Sequence, residues 1–494
     1  MFTLTIFLGK KNVREGDTGL YLIELLKDWP CTISGNWRDI EIGAVTEHPK
    51  RVTKGSLFVA RKGARHDGLD SIEEGIHNGA AAIVVDRIVP EEQITYWVNR
   101  GVAVVTVSEC KQFLSYSCAQ LAGSPAEELT IISVTGTNGK TTVTHFVGQF
   151  LSNFGVKAAV IGTTGCYING EKLDEETPSL TTLTAEYLHP LLKKCLERGV
   201  THVALEASSL GLEMERLAHC RATVGVFLNI GVDHFEEHGG RDNYLNAKKK
   251  LCDLSDQILV NREDAACMKL VERANVPVHE FGRKVAGRFM PSEDLMAKLP
   301  PGEHNRLNAM AAAAVVCLLG FPERHVFSMF SELRLPEGRM QLAEQAGRQV
   351  FVDYAHTPDA LEVVLQALTT IKKKQLICVF GCGGNRDKDK RPVMGGVAEN
   401  YCDKIYVTSD NPRNENPEHI IQDILSGMKN TSTVIVEIDR KRAIQQAIEL
   451  SEPQDIVLIA GKGHETSQLV SGKETELSDF KEVLAALNQL GTMK

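Results

Sequence analysis

The sequence has no apolar run long enough to cross a bilayer. The longest nearly unbroken one, residues 309–321, falls short of the ~20 residues a spanning helix needs and reads as a buried helix. None of the twelve cysteines forms a Cys-x-x-Cys pair, Cys378 and Cys382 coming closest. That spacing argues for reduced thiols in a cytoplasm, and against a disulfide frame or a structural zinc site. Nor is there an excess of positive charge: 55 basic residues stand against 64 acidic ones, a net of −9. This suits a soluble protein and speaks against wrapping nucleic acid. Residues 1–8 are apolar but lack a basic lead-in and run into Lys10-Lys11, so they do not read as a signal peptide. No internal repeat and no low-complexity tract is visible. The expectation is a cytoplasmic monomer without membrane insertion.

What is present is a chain of 494 residues, 43% hydrophobic and 24% charged. That is the composition of a globular protein with more than one core. Its most informative stretch is Ile131-Ile132-Ser133-Val134-Thr135-Gly136-Thr137-Asn138-Gly139-Lys140-Thr141-Thr142. A β-branched strand runs into a Gly-punctuated loop, and a helical pattern follows over 143–154. Strand, tight loop and helix start are how proteins hold a nucleotide triphosphate. Loop N–H groups and the helix N-terminus face the phosphates, Lys140 reaches the terminal ones, and the Thr141 hydroxyl is a ligand for Mg²⁺. The standard P-loop spacing would place Gly where Val134 stands.

The alternation along the chain predicts an α/β protein of three domains. A small N-terminal α/β domain, residues 1–110, has strands over 56–60 and 80–85 with a helix over 72–78. A helix over 110–122 leads into a central, P-loop-type ATPase domain with a mostly parallel sheet, residues 111–335. Its strands fall at 158–161, 201–205 and 223–228. A C-terminal Rossmann-like α/β domain, residues 336–494, alternates strands at 349–352, 376–380, 404–407 and 456–460 with helices over 358–371 and 392–401. In open sheets of this kind ligands sit beyond the carboxyl ends of the strands. The polar motifs at 353–359, 381–391, 409–413 and 461–465 fall at those ends.

Several of these motifs carry chemistry. Glu206 ends the strand over 201–205, and a carboxylate beside a phosphate loop suits Mg²⁺, a hard cation wanting oxygen. Ser208 and Ser209 follow, suited to phosphate or to capping. His234 and His238 have the i, i+4 spacing of a zinc pair, but no third ligand is evident and Gly239-Gly240 breaks the helix; a single His on Mg²⁺ is the sharper reading. Composition makes Lys248-Lys249-Lys250 a solvated charge run. In the third domain, Arg386 is built to clamp a carboxylate. Asp410-Asn411-Pro412-Arg413 offers an anion, an amide, a rigid turn and a second Arg. With Glu465 these loops suit a zwitterionic amino acid, Arg for its carboxylate, Asp and Glu for its ammonium.

Taken together, the motifs resemble the Mur ligase family, the ATP-dependent amide-forming enzymes of peptidoglycan synthesis. The likeness is strongest from 131 to 468, toward the branch that extends UDP-N-acetylmuramoyl-L-alanyl-D-glutamate. It rests on Gly136-Thr137-Asn138-Gly139-Lys140-Thr141-Thr142, on Glu206 with Ser208-Ser209, and on Asp233-His234. It rests also on Gly302 through Asn305 to Asn308, on Gly338-Arg339-Met340, and on Asp353-Tyr354-Ala355-His356-Thr357-Pro358. The resemblance implies that Lys140 and the loop hold the ATP phosphates. It implies that Thr141, Glu206 and His234 bind Mg²⁺, and that Asn305, Asn308, Arg339 and Asp353 position ATP. Against the compositional reading, it implies that Lys248 is N-carbamylated and joins the metal site. Thr181, Thr182, Ser208 and Arg216 would face the acceptor, whose UDP-sugar end the first domain would bind. Asp410-Asn411-Pro412-Arg413 resembles the motif of the branch using meso-diaminopimelate, with Arg413 on the distal carboxylate. Arg386, Gly461 and Glu465 would complete that pocket.

The departures fall on the acceptor side. Glu47-His48-Pro49 stands where the family offers Asp-Ser-Arg, Leu180 precedes Thr181-Thr182 where Asn is usual, and Leu210 and Met214 replace a His and a Gln. The expected chemistry has two steps: ATP phosphorylates an acceptor carboxylate, and the amine then displaces phosphate, with His356 a candidate for taking the amine's proton. Closure of the third domain would exclude water. Two other readings fit the same sequence: a related ligase acting on a different carboxylate in secondary metabolism, and a non-catalytic nucleotide-binding regulator.

Overall fold

The computed structural model describes residues 19–63, 66–231, 235–283, 289 and 291–492. Three open sheets follow one another along the chain. The first has five strands in the order Cys31–Ser34, Ala103–Val107, Ala80–Val85, Ser56–Val59, Ala44–Thr46, parallel except for the first pair. The helix Cys110–Ala122 packs its Phe113, Leu114 and Tyr116 into the core of this sheet. It stops at Gly123, whose φ of +82° provides the left-handed C-cap.

The second sheet has eight strands. At its middle Thr130–Thr135 lies between His202–Glu206 and Val224–Phe227, parallel to both. From Thr130–Thr135 the chain builds Ala158–Gly162 and His202–Glu206 on one side of that strand, then crosses to Val224–Phe227 on the other. That makes the carboxyl end of this strand a topological switch point, where ligands bind in doubly wound sheets. Its β-branched run is buried from both faces, as parallel strands are. One covering layer is the helix Lys140–Asn153 against Glu303–Leu318. The apolar run in the second helix is 16 residues of helix at most, with residues 309–316 each no more than 1% exposed. Its alanines let the two helices and the sheet approach closely. Among the described residues no helix is long and apolar enough to cross a membrane.

The third sheet has six strands, Gln341–Gln345, Arg348–Asp353, Ile456–Ala460, Leu376–Phe380, Lys404–Val407 and Val434–Val436, all parallel but the first pair. The helix Pro358–Ile371 starts where the sequence puts it. Pro358 takes the first helical position, where no N–H is needed, and the Thr357 hydroxyl accepts from Ala360 N at 3.3 Å. The helix Lys390–Tyr401 begins two residues before the expected 392.

The first and second sheets are joined by ionic contacts. The Arg51 guanidinium and the Glu47 backbone N–H both donate to the buried Glu186 carboxylate on the helix Ala185–Glu197, and Arg51 lies 4.2 Å from the centre of the Tyr187 ring. Arg61 pairs with the Glu47 side chain.

Candidate functional site

The phosphate loop is a rigid object before any ligand arrives. Gly139 has φ +90°, and a Cβ there would lie 2.5 Å from Asn308 Oδ1, so only glycine fits. Asn229, at the end of the adjacent strand, clamps the loop from the side. Its Oδ1 accepts from Asn138 N at 2.9 Å, its Nδ2 donates to Asn138 O at 3.0 Å, and its carbonyl accepts from Thr137 N at 2.9 Å. Asn229 carries no motif of its own; its place next to the loop follows only from the parallel pairing of Val224–Phe227 with Thr130–Thr135. Lys140 curls over the loop and donates to the carbonyls of Gly136 and Thr137 at 2.9 and 3.0 Å. The helix begins at Lys140, not at 143, and so Thr141 and Thr142, both nearly buried, sit in its first turn.

Glu206 stands at the end of the neighbouring strand and is 2% exposed. Its oxygens accept from Thr163 N at 2.9 Å and Thr163 Oγ1 at 3.1 Å. A Cβ on Gly162 would lie 2.1 Å from Glu206 Oε1, so this glycine makes the space the carboxylate fills. Behind it, Thr182 Oγ1 donates to Glu206 O at 2.7 Å and accepts from Ser208 N at 2.9 Å, while Arg216 Nη1 donates to Thr182 O at 2.7 Å. Thr181 opens onto the cleft, whereas Thr182, Ser208 and Arg216 hold one another just behind it. Asp233 and His234 lie outside the described residues. Glu206 and the Thr141 hydroxyl are hard oxygen donors on one wall, a donor set that fits Mg²⁺.

Lys248 corrects the compositional expectation of a solvated run. On the helix Arg241–Asp253, Tyr244, Ala247, Lys248 and Leu251 form one buried stripe at helical spacing, while Lys249 is exposed. Lys248 is 1% exposed, its Nζ lies 4.8 Å from the centre of the Tyr244 ring and donates to Thr135 Oγ1 at 3.3 Å. The Tyr244 hydroxyl lies 2.8 Å from Thr137 Oγ1, which also accepts from Gly231 N at 2.8 Å. His238 is no zinc ligand here: its Nε2 meets Ser209 Oγ at 2.9 Å and its Nδ1 meets Glu213 Oε2 at 2.7 Å.

From the third sheet, Arg339 reaches across to the phosphate loop, its Nη2 donating to Thr141 Oγ1 at 3.2 Å. Asp353 is fixed by N–H groups of Met340 at 2.7 Å and Ala355 at 2.8 Å. Burial pushes its carboxyl above the ordinary carboxylate range, a rise that Arg339 and these two N–H groups oppose. Asn305 donates to Pro301 O at 2.8 Å and touches Met340 Sδ at 3.5 Å. His356 donates from Nδ1 to the Tyr354 carbonyl at 2.9 Å. Its carbonyl accepts from Lys390 Nζ at 2.9 Å.

The loops at 381–391, 409–413 and 461–465 meet beside these groups. Arg413 takes a left-handed conformation, φ +53°, with Nη1 donating to Gly384 O at 2.9 Å. Gly461, φ +118°, leaves room for the Asp410 carboxylate, 2.8 Å from where its Cβ would be. Arg386 is exposed and faces Glu237 across the cleft at 3.9 Å. The loop at 381–391 is anchored by the buried Arg391, which donates to Glu415 and Asp423. Those bonds hold Glu415 down at about 2.

One cleft of about 880 Å³ takes in both sides. The phosphate loop, Glu206, Asn305, Asn308, Arg339 and Asp353 line one end, and Arg386, Asp410, Asn411, Arg413, Gly461 and Glu465 the other. Around it, burial holds His145, His304 and His464 at about 4, so these rings are neutral near pH 7.

The chain matches two domain families: the Mur ligase middle domain over residues 134–316 and the Mur ligase, glutamate ligase domain, over residues 338–463. It is 34% identical over 490 residues to the UDP-N-acetylmuramoyl-L-alanyl-D-glutamate–2,6-diaminopimelate ligase of Caldanaerobacter subterraneus subsp. tengcongensis, covering 94% of this chain and 99% of that one. To the protein of the same name from Aquifex aeolicus it is 35% identical over 474 residues, covering 91% and 95%. A solved structure of such a ligase superposes with a TM-score of 0.65 at 29% identity, over 96% of this chain and 99% of the other.

Proposed function

The chain belongs to the Mur ligase family, and on that footing we propose that it joins the amine of meso-diaminopimelate to a carboxylate of UDP-N-acetylmuramoyl-L-alanyl-D-glutamate. It is an ATP-dependent ligase of peptidoglycan synthesis. The observation that carries the substrate reading is the single cleft. It places a phosphate loop from one sheet and an Arg413, Asp410 and Glu465 pocket from the next within one reaction volume.

In this reading the first domain holds the UDP-sugar end of the acceptor, the second holds ATP and the third the amino acid. An acceptor carboxylate oxygen attacks the γ-phosphorus, the bond to ADP breaks and an acyl phosphate forms. The amine nitrogen then attacks the carbonyl carbon, phosphate leaves with the carbon–oxygen bond, and a proton leaves the nitrogen. Lys140 leaves the loop carbonyls for the phosphates, and Arg339 adds a planar donor to the same charge. Thr141 and Glu206 would hold Mg²⁺, with His234, and its role there is to neutralise phosphate charge. His356, which lines the cleft, is the residue we assign to take the amine's proton. Arg413 faces the distal carboxylate, and Asp410 and Glu465 the ammonium. Lys248 is proposed to be N-carbamylated, turning a buried cation into an anion; activity that falls on CO₂ removal and recovers with bicarbonate would mark it.

The test is phosphate release with ATP, Mg²⁺ and the muramoyl dipeptide, comparing meso-diaminopimelate with L-lysine. Turnover that depends on diaminopimelate is expected. A second reading, a ligase for a different carboxylate, is favoured by one observation: Glu47, at the family's acceptor triplet, is spent on Arg61 and on docking to Glu186. ATP binding without turnover on the muramoyl acceptor would select it.

A further inference from the structure

Lys462 lies inside the loop 461–465 and is 0% exposed. A buried ammonium is stable only beside an anion and further acceptors. Its Nζ donates to Glu465 Oε2 at 2.7 Å and to Asn411 Oδ1 at 3.3 Å. Asn411 closes the triangle, donating from Nδ2 to the same Glu465 oxygen at 2.9 Å. Its Oδ1 also accepts from Leu469 N at 2.9 Å. Glu465 and Asn411 line the cleft, and Lys462 does not. The lysine therefore stands behind the wall, where it ties the loop after Lys404–Val407 to the loop after Ile456–Ala460.

We propose that Lys462 is the positioning residue of the amine-donor pocket. By occupying Oε2 it fixes the rotamer of Glu465, so that the other carboxylate oxygen is the one presented to the incoming ammonium. The Asn411 amide is held independently, Leu469 N donating to its Oδ1 at 2.9 Å. Without Lys462, the pocket keeps its charge on Glu465 but loses the orientation of that carboxylate. The effect belongs to amine-donor binding and not to ATP. This rests on the reading of 410–413 and 461–465 as the amino-acid pocket.

The experiment measures kcat and KM for meso-diaminopimelate and for ATP in the full-length K462M, E465Q and K462M/E465Q proteins. In K462M, KM for the amine rises at least about tenfold, as expected when one partner of a buried hydrogen-bonded charge pair is truncated, while kcat and KM for ATP stay within about threefold. E465Q raises it too, and the double variant is no worse than the worse single one, because Lys462 acts through Glu465. If E465Q raises the amine KM and K462M does not, the positioning role is overturned and the pocket reading stands. If neither changes it, the pocket reading falls. Effects that multiply in the double variant, or a KM for ATP that rises equally, would make Lys462 a general structural residue and overturn the proposal. Should K462M fail to fold, the double variant carries no unpaired buried charge, and a higher amine KM in it than in E465Q overturns the proposal.

Discussion

Arg339 on the third domain donates from Nη2 to the hydroxyl of Thr141 on the phosphate loop, at 3.2 Å. Its guanidinium stacks 4.7 Å from the centre of the Tyr354 ring, and its buried Nε has no acceptor among the described residues. A rigid donor fork with a spare N–H therefore stands over the phosphate loop. Replacing Arg339 by Ala should lower kcat for phosphate release about 10²-fold, the size of losing one preorganised donor on developing charge. Lysine should restore only part, because it keeps the charge without the fork. Single-turnover phosphate release checks this, and a variant within threefold of the parent would remove Arg339 from the site.

Gly162 makes room for Glu206. A methyl group there would lie 2.1 Å from Oε1, so Gly162→Ala must turn the carboxylate away from its bonds to Thr163. Displacing the shell around a metal ligand typically costs 10–100-fold in metal affinity. The expected result is a Mg²⁺ requirement raised by about tenfold at saturating ATP, read from a Mg²⁺ titration of turnover. An unchanged titration would mean that Glu206 does not serve the metal.

Arg413 offers the charge that a second carboxylate would need. Its Nη1 is held by Gly384 O at 2.9 Å, which orients the rest of the guanidinium. Arg413→Ala should leave the distal carboxylate of diaminopimelate without a partner, a loss of about 2–5 kcal/mol, or thirtyfold and upward in kcat/KM. L-Lysine lacks that carboxylate, and its kcat/KM should change far less. The ratio of the two substrates is the measurement; equal losses for both would show that Arg413 does not read the distal end.

Much of this site was legible because its chemistry is local. The phosphate loop, Glu206 at a strand end, and the Thr357-Pro358 helix start are each read from a few adjacent residues, and the structure has a loop, a strand end and a helix start there. Lys248 was misread by composition because burial of a lysine is decided by the helix face it shares with Tyr244 and Leu251, not by its neighbours Lys249 and Lys250. Asn229 and Lys462 stand at strand ends that the sequence marks, but their roles are not read there, since each acts across a strand pairing or between two loops. The cleft itself joins two sheets far apart in sequence, through contacts such as Arg339 to Thr141, and such closure is a tertiary fact.

His189 is 0% exposed, and neither ring nitrogen has a hydrogen-bond partner among the described residues. Burial, with His219 nearby, holds it at about 3, against an ordinary 6.5. The sign follows from proton counting. Below 6.5 the unfolded chain binds a proton that the folded chain refuses until about pH 3, so the folded state loses stability as pH falls through that window. Above 6.5 the penalty is absent. The slope approaches about 1.4 kcal/mol per pH unit well inside the window, so roughly 1–2 kcal/mol is at stake between pH 7 and pH 5.5. His189→Leu fills similar volume and cannot titrate. The variant should gain on the parent as pH falls from 7 to 5.5, read as the difference between their denaturant midpoints at each pH. Comparing the two proteins at the same pH cancels His145, His304 and His464, which titrate alike in both. A difference that stays constant across the range would show that His189 takes up its proton in the folded chain.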